Sequence, residues 1–197
     1  MIRLKSWRAL DLSYGAIFIC LMAIGANITF WFPFLAIPIG GVSVPLSLQT
    51  FFSILAGMFL GKRLAAFSLL GYLFVGIIGV PVFAQMQSGV FVLFNYTGGF
   101  LLSFVLVGYV TGLLSEKINQ KNMISTSSIA FIGVFVNYII GVSYMYLAMN
   151  TWLGLTIAYQ AAWIGMVPFL IKDLVLAGIA AVVLLKMIDR MPSTAYH

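Results

Sequence analysis

Charged side chains are scarce in this sequence: its 197 residues include 10 Lys and Arg and 4 Asp and Glu, or 7% of the chain. A soluble domain carries about 25% charged residues. With 63% hydrophobic residues and a mean hydropathy of +1.14, a water-soluble fold would expose more apolar surface than soluble proteins tolerate. The composition therefore predicts an integral membrane protein.

Residues that would support chemistry inside a membrane are nearly absent. The only histidine is His197, which leaves a membrane serine protease without a buried base. The only cysteine is Cys20, which rules out an internal disulfide and argues against a cysteine metal cluster. Among the acidic residues only Asp173 lies within a long apolar run, which excludes an aspartyl dyad and an acidic proton relay. We therefore expect a protein that is not an enzyme and that holds no metal and no cofactor.

An ATP site is also missing. The segment GMFLGKR at residues 57–63 has the outline of a phosphate-binding loop, but three residues separate its glycines and Arg63 follows Lys62. The motif requires four residues between the glycines and Ser or Thr after the lysine. We interpret the segment as a tight turn between helices that ends on cations at the membrane surface.

Long uncharged runs divide the chain. Residues 12–61, 64–115 and 122–171 contain no charged side chain, and their apolar stretches are continuous, which is typical of helices and not of a membrane barrel. One span needs roughly 20 residues, so each run accommodates a helical hairpin, the third extending past residue 171. We predict an all-α membrane protein, a single domain over residues 1–197, with six transmembrane helices near residues 13–31, 46–60, 64–80, 97–114, 125–147 and 168–187.

The basic residues give the orientation. Nine of the ten lie between or beyond the predicted hairpins, on one side of the membrane: Arg3, Lys5, Arg8, Lys62, Arg63, Lys117, Lys121, Lys186 and Arg190. The positive-inside rule makes this side cytoplasmic, with both termini inside. Topology thus explains the net charge of +6, which gives no reason to expect nucleic acid. We expect the first helix to be retained, because no convincing signal-peptide cleavage site follows it.

The tenth cation, Lys172, and its neighbour Asp173 lie near the predicted outer end of the sixth helix. Charges at membrane depth are costly and mark candidate functional sites. Pro168 suits the first turn of a helix, which would place the pair in the second turn, where the helix dipole favours an anion. The alternative is a structural ion pair that bonds to nearby loop amides.

The predicted outer connections are long, uncharged and rich in Gly, Pro, amide and aromatic residues. They cover residues 32–45, 81–96 and 149–163, and the last could hold a short interfacial helix. Loops without a function tend to be short. These segments therefore either fold over the membrane surface as a lid or serve as plain connections.

Three segments resemble the BioY family, the biotin-binding, substrate-specific (S) components of energy-coupling factor (ECF) transporters. They are VPLSLQTFFSILAGMFLGKRLAAFSLLGYLFVGIIGVPVFA at residues 44–84, NYTGGFLLSF at 95–104 and PFLIKDLVLAGIAAVV at 168–183. The resemblance implies a six-helix bundle in the bacterial cytoplasmic membrane, with a biotin site near the outer face. It also implies a partner transmembrane (T) subunit and two ATPase (A) subunits that supply the energy.

The resemblance also implies the site residues. Asp173 matches the family's aspartate, whereas the family's lysine three residues later aligns here with Leu176 and the preceding glycine with Lys172. Lys172 either offsets the charge of Asp173 or attracts the ligand's carboxylate. The remaining expected contacts to biotin are Gln49 in the Leu-Gln-Thr segment, Gln87 in the outer connection, Asn95 and Tyr96 where the family has Gly-Pro, and Trp163, which with Tyr96 would cover the ring.

One further pair concerns the partner subunit. Close packing between membrane helices needs small residues four apart, and the first helix offers Ala16 and Cys20 where the family has an Ala-x-x-x-Ala pattern. The alternative is ordinary packing inside the bundle. Two other functions stay open from the sequence: an S component for another vitamin, which the lost lysine keeps possible, and a membrane scaffold that transports nothing.

Overall fold

The computed structural model describes residues 8–32, 34, 36–39, 42–118 and 122–190. His197 and three of the cations that the sequence analysis assigns to the cytoplasmic side, Arg3, Lys5 and Lys121, lie outside these ranges. The helices are α1 (Ala9–Ala26), α2 (Ile28–Trp31), α3 (Gln49–Leu60), α4 (Lys62–Ile77), α5 (Gly98–Lys117), α6 (Met123–Thr151) and α7 (Tyr159–Arg190). Two short 3-10 turns, Ala84–Met86 and Val90–Phe94, lie between α4 and α5.

The chain is a multi-pass membrane protein. Among the described residues, four helices are long and apolar enough to cross a membrane by length and composition: Ala9–Ala26, Gly98–Lys117, Met123–Thr151 and Tyr159–Ile188. The hairpin of α3 and α4 is shorter, with 12 and 16 residues. A 12-residue helix is about 18 Å long, which is less than the roughly 30 Å of a bilayer core.

The bundle forms around α5, which packs against α3, α4 and α6. The helix α7 packs against α6 and α3, while α1 packs against α3 and α4. One apolar cluster joins α3, α6 and α7 through residues such as Ile54, Val134 and Ala177. A second joins α1 and α4 to the outer connection, with Phe83 fully buried against the ring of Tyr72.

A tight turn at Gly61 connects α3 to α4, as predicted from the GMFLGKR segment. Gly61 has φ +77°, a left-handed conformation that glycine adopts readily. The carboxylate of Glu116 on α5 accepts a hydrogen bond from the backbone nitrogen of Lys62 at 2.9 Å and pairs with its Nζ at 2.8 Å. The end of α5 therefore fixes the turn of the α3–α4 hairpin.

Gly57 sets the distance between α3 and α5, and we expect Gly57→Ala to destabilise the bundle by about 3 kcal/mol, the upper end for overpacking. The added Cβ would collide with Oγ1 of Thr111 and lie 2.5 Å from the carbonyl oxygen of Gly108. Thermal unfolding in detergent measures the effect as a lower midpoint. Gly178→Ala on α7 is the matched control, because a Cβ there meets nothing within 4 Å. Equal midpoints for the two variants would contradict this packing.

The segments between α1 and α3 and between α6 and α7 differ from the sequence-based expectation. Strands Ala36–Ile39 (β1) and Val42–Pro45 (β2) form an antiparallel hairpin that was not predicted, with Ala36 opposite Pro45. No separate interfacial helix lies in residues 149–163, because α6 continues to Thr151 and α7 already begins at Tyr159.

The start of α7 also corrects the argument about its charges. Pro168 lies inside this helix instead of in its first turn. A membrane helix tolerates an internal proline when neighbouring groups satisfy the backbone carbonyls that the proline leaves unbonded. Lys172 and Asp173 therefore lie about four turns from the beginning of α7. The helix-dipole contribution expected for them is wrong, because that effect is confined to the first turn.

Candidate functional site

Asp173 is buried at the meeting point of three helices, with 4% of its surface exposed. Its Oδ2 accepts a hydrogen bond from the hydroxyl of Thr50 on α3 at 3.0 Å and another from the hydroxyl of Tyr138 on α6 at 2.9 Å. An ionised carboxylate at this depth requires donors. The two hydroxyls supply them on one side of the carboxylate only.

Lys172 lies on the other side of the carboxylate. Its Nζ is 2.7 Å from Oδ1 of Asp173 and donates a hydrogen bond to the carbonyl oxygen of Ser47 at 2.5 Å. Despite this ion pair, Oδ1 is a buried atom that receives no well-directed hydrogen bond from the residues described. The Lys172 side chain is 18% exposed. This position fits the first of its two expected roles, offsetting the charge of Asp173.

The polar cluster continues behind Asp173 into α5 and α6. Nδ2 of Asn137 donates to Oγ1 of Thr50 at 3.1 Å, and the hydroxyl of Ser103 lies 2.5 Å from Oδ1 of Asn137. All three side chains are buried. Ser103, Asn137, Thr50 and Asp173 thus form one hydrogen-bonded chain across four helices, which we call the buried polar chain.

Sequence reasoning missed Thr50, Ser103, Asn137 and Tyr138 as site residues. Each is a polar residue in a helix that is otherwise mostly apolar, which is the signal that could have drawn attention to them. Thr50 also lies in the Leu-Gln-Thr segment beside Gln49, the residue that we expected to contact biotin. Burial without a hydrogen-bond partner is costly for each of them, so partners on other helices were to be expected.

Gln49 belongs to a different cluster. It is 4% exposed, and its Nε2 donates to the hydroxyl of Tyr72 on α4 at 2.9 Å. That hydroxyl in turn donates to the carbonyl oxygen of Val82 at 3.0 Å. Gln49 therefore fastens the outer connection to α3 and α4, and in this structure its amide does not bond to Asp173.

Asn27, which the sequence analysis also missed, holds the same connection from α1. Its Oδ1 accepts from the backbone nitrogen of Met86 at 2.7 Å, and its Nδ2 lies 3.4 Å from the carbonyl oxygen of Val82. Gln85 and Met86 have φ of 59° and 57°, a region that costs energy for residues other than glycine. The side chain of Asn27 stabilises the connection in this conformation.

The other expected ligand residues lie between α4 and α5 or in the first turns of α7. Gln87 is exposed, and its backbone pairs with that of Phe83 in an isolated antiparallel bridge. Oδ1 of Asn95 accepts a hydrogen bond from the backbone nitrogen of Tyr96, a residue that is 41% exposed. Trp163 is half-buried in the first turns of α7. Within the described part of the chain, no hydrogen bond or ring contact joins any of these four residues to Asp173.

The two expected partner-coupling residues face outward. Ala16 and Cys20 are both exposed on α1, so they are not packed inside the bundle. Ala16 borders a groove between α1 and α4, a cavity of about 110 Å³ that Phe67 and Ser68 also line. This face of α1 is open to the bilayer or to another helix.

Comparison with known proteins gives consistent matches. A family model described as the BioY family matches residues 3–193. The protein BioYB of Bacillus subtilis is 36% identical over 175 residues, which cover 89% of this chain and 86% of that protein. The biotin transporter BioY of Thermotoga maritima is 33% identical over 173 residues, covering 88% of this chain and 92% of that protein.

A solved structure also resembles the fold. The S-component for biotin from an ECF-type ABC transporter superposes with a TM-score of 0.71 and covers 97% of this chain and 99% of that chain. The sequence identity in this comparison is 21%, so the likeness concerns the fold.

Proposed function

Since the chain belongs to the BioY family, we propose that it takes up biotin as the substrate-binding S component of an ECF-type transporter. The observation that carries the proposal is the similarity over nearly nine tenths of the chain to relatives named as biotin transporters. The likeness of the fold to an S-component for biotin supports it. The chain is a transporter component and not an enzyme.

In this proposal Asp173 is the anchor for the ligand. Biotin offers an apolar bicycle, a ureido group with two N–H donors, and a carboxylate. Oδ1 of Asp173 lacks a well-directed donor among the residues described, and a ureido N–H would supply one. Lys172 stays beside this oxygen as the counter-charge, and the hydroxyl of Tyr138 holds the opposite oxygen in place.

The outer segments form the upper part of the proposed site. Gln87, Asn95 and Tyr96 contribute polar and aromatic groups from the segment that follows α4, and Trp163 contributes its ring from the first turns of α7, in keeping with pockets that have apolar walls and few polar groups. Gln49 serves the site by holding Val82 through Tyr72. These segments cover the bicycle once biotin has entered.

The topology follows from the charges and the helices together. We propose six spans, with the short α3 and α4 crossing as a compact hairpin and both termini in the cytoplasm. Arg63, Lys117 and Lys186 are exposed at the ends of helices that this arrangement places inside. The protein works in the bacterial cytoplasmic membrane with a T subunit and A subunits that hydrolyse ATP.

Calorimetry of the detergent-purified protein tests the function. We expect biotin to bind and riboflavin and thiamine to give no heat of binding, because neither presents a ureido group beside an apolar bicycle. Binding of another vitamin but not of biotin would overturn the proposal and favour an S component for that other vitamin. Absence of binding for all three ligands, with the fold intact, would favour a membrane scaffold.

A further inference from the structure

The hydrogen atoms of the buried polar chain can be assigned one at a time, because each hydroxyl has a single hydrogen. An ionised Asp173 only accepts, so Thr50 donates its hydrogen to Oδ2 at 3.0 Å. Thr50 can then only accept from its other neighbour, the amide of Asn137, whose Nδ2 lies 3.1 Å away. The oxygen of that amide must therefore face Ser103.

Ser103 holds the amide from the opposite side. Its hydroxyl is 2.5 Å from Oδ1 of Asn137 and 2.8 Å from the carbonyl oxygen of Phe100. Its single hydrogen goes to Oδ1, because two oxygens at the shorter distance need a hydrogen between them. If the amide were reversed, its oxygen would face Thr50, and Thr50 would turn its hydrogen away from Asp173. The orientation of Asn137 thus decides whether Thr50 donates to the carboxylate.

Water cannot replace a lost partner here. Asn137 is 1% exposed, Ser103 is fully buried and Thr50 is 4% exposed. Oδ2 of Asp173 has two donors, Thr50 and Tyr138. Removing one of them leaves part of a buried charge without hydrogen bonds, which is costly. The carboxylate would then turn to share its remaining donors between both oxygens.

We infer that Asn137 is a positioning residue for the ligand site: it directs the hydroxyl of Thr50 at Oδ2 of Asp173, so that Oδ1, which is paired with Lys172 but receives no hydrogen bond in the described chain, can accept a ligand N–H. The inference rests on the proposed function, because it takes biotin as the ligand that Asp173 binds. Asn137 itself has no contact with the ligand in this arrangement. It acts through Thr50 and determines selectivity for an N–H donor.

A double-mutant cycle tests this role by biotin affinity in calorimetry. Asn137→Leu removes the amide with little change in volume, and Thr50→Val removes the hydroxyl. We expect each variant to lower the affinity about tenfold and the double variant to lower it about tenfold as well, because both act on one hydrogen bond. Thr50→Ser keeps the hydroxyl and should restore most of the affinity.

A second readout separates positioning from general loosening of the bundle. Biotin methylated on one ureido nitrogen lacks one N–H. Either nitrogen can carry the methyl group, and the experiment uses the isomer that binds more weakly to the parent protein. We expect the ratio between the affinities for biotin and for this isomer to fall about tenfold in Asn137→Leu. A merely structural role would weaken both ligands equally and leave the ratio unchanged.

Three outcomes are decisive. An additive cycle, about a hundredfold for the double variant, or an unchanged ratio would overturn the role of Asn137 while biotin binding by the parent stands. Failure of the parent protein to bind biotin would overturn the proposed function and this inference together. If Asn137→Leu does not fold, Ser103→Ala replaces it in the cycle, because that change removes the hydroxyl that holds the Asn137 amide. Additive losses in Ser103→Ala and Thr50→Val would again overturn the role of Asn137.

Discussion

Asp173→Asn is expected to lower biotin affinity by about one to two orders of magnitude. The substitution keeps the shape of the side chain, and its single oxygen still accepts from Thr50 and Tyr138, at the position of Oδ2. An NH2 group then replaces Oδ1, so a ligand N–H meets a donor and loses a charged acceptor. A hydrogen bond to a charged group contributes about 1.5–3 kcal/mol, and 1.4 kcal/mol is about tenfold.

Titration calorimetry of the purified variant measures this loss, and its thermal midpoint shows whether the bundle is intact. A variant that unfolds at the parent's temperature and binds biotin as tightly as the parent would remove Asp173 from the site. The ion pair with Lys172 would then be structural, which is the alternative that the sequence left open.

Lys172→Ala is the comparison for the same experiment. If Lys172 attracted the ligand's carboxylate from the surface, its contribution would shrink at high salt, because an exposed attraction is screened. The structure places Lys172 in a different setting. Lys172 is 18% exposed and bound to Ser47 and Asp173, and charges that are partly buried are screened less. We therefore expect a smaller loss than in Asp173→Asn, with little dependence on salt.

The sequence predicted the helices better than the positions where they begin. The uncharged runs located α1 and the helices from α3 to α7, and the glycine before Lys62 located the turn between α3 and α4. Pro168 misled the prediction for α7, because a proline most often marks the first turn of a helix and here stands inside one. The hairpin of β1 and β2 was missed because its strands contain Pro38 and Pro45, and proline within a run argues against a strand.

The candidate site was predictable only in part, for a physical reason. Asp173 and Lys172 were identified because a charge in an apolar run is unusual by itself. Thr50 and Asn137 acquire their importance from partners that lie 123 and 87 positions away in the chain. Such contacts depend on how α3, α6 and α7 pack, and helix periodicity does not specify which helices become neighbours.

Ala16→Trp is expected to abolish biotin uptake while leaving biotin binding intact. Ala16 is exposed on α1, so a large ring there extends away from the bundle and leaves the core packing unchanged. It also lies on a different helix from Asp173, Thr50 and Tyr138, which hold the proposed ligand site. A T subunit that packs closely against α1 needs a small side chain at this point, and an indole ring would hold the two helices apart.

The measurement is biotin uptake by cells that produce the protein with its transporter partners, with binding followed separately on the purified variant. Ile132→Trp is the matched control, since Ile132 is 42% exposed on α6, and α6 packs mainly against α5 and α7. Both substitutions place an indole at the lipid-facing surface, a similar distance from the start of their helices. If uptake falls equally in both variants, or is unchanged in Ala16→Trp at equal expression, the face of α1 around Ala16 is not the coupling surface.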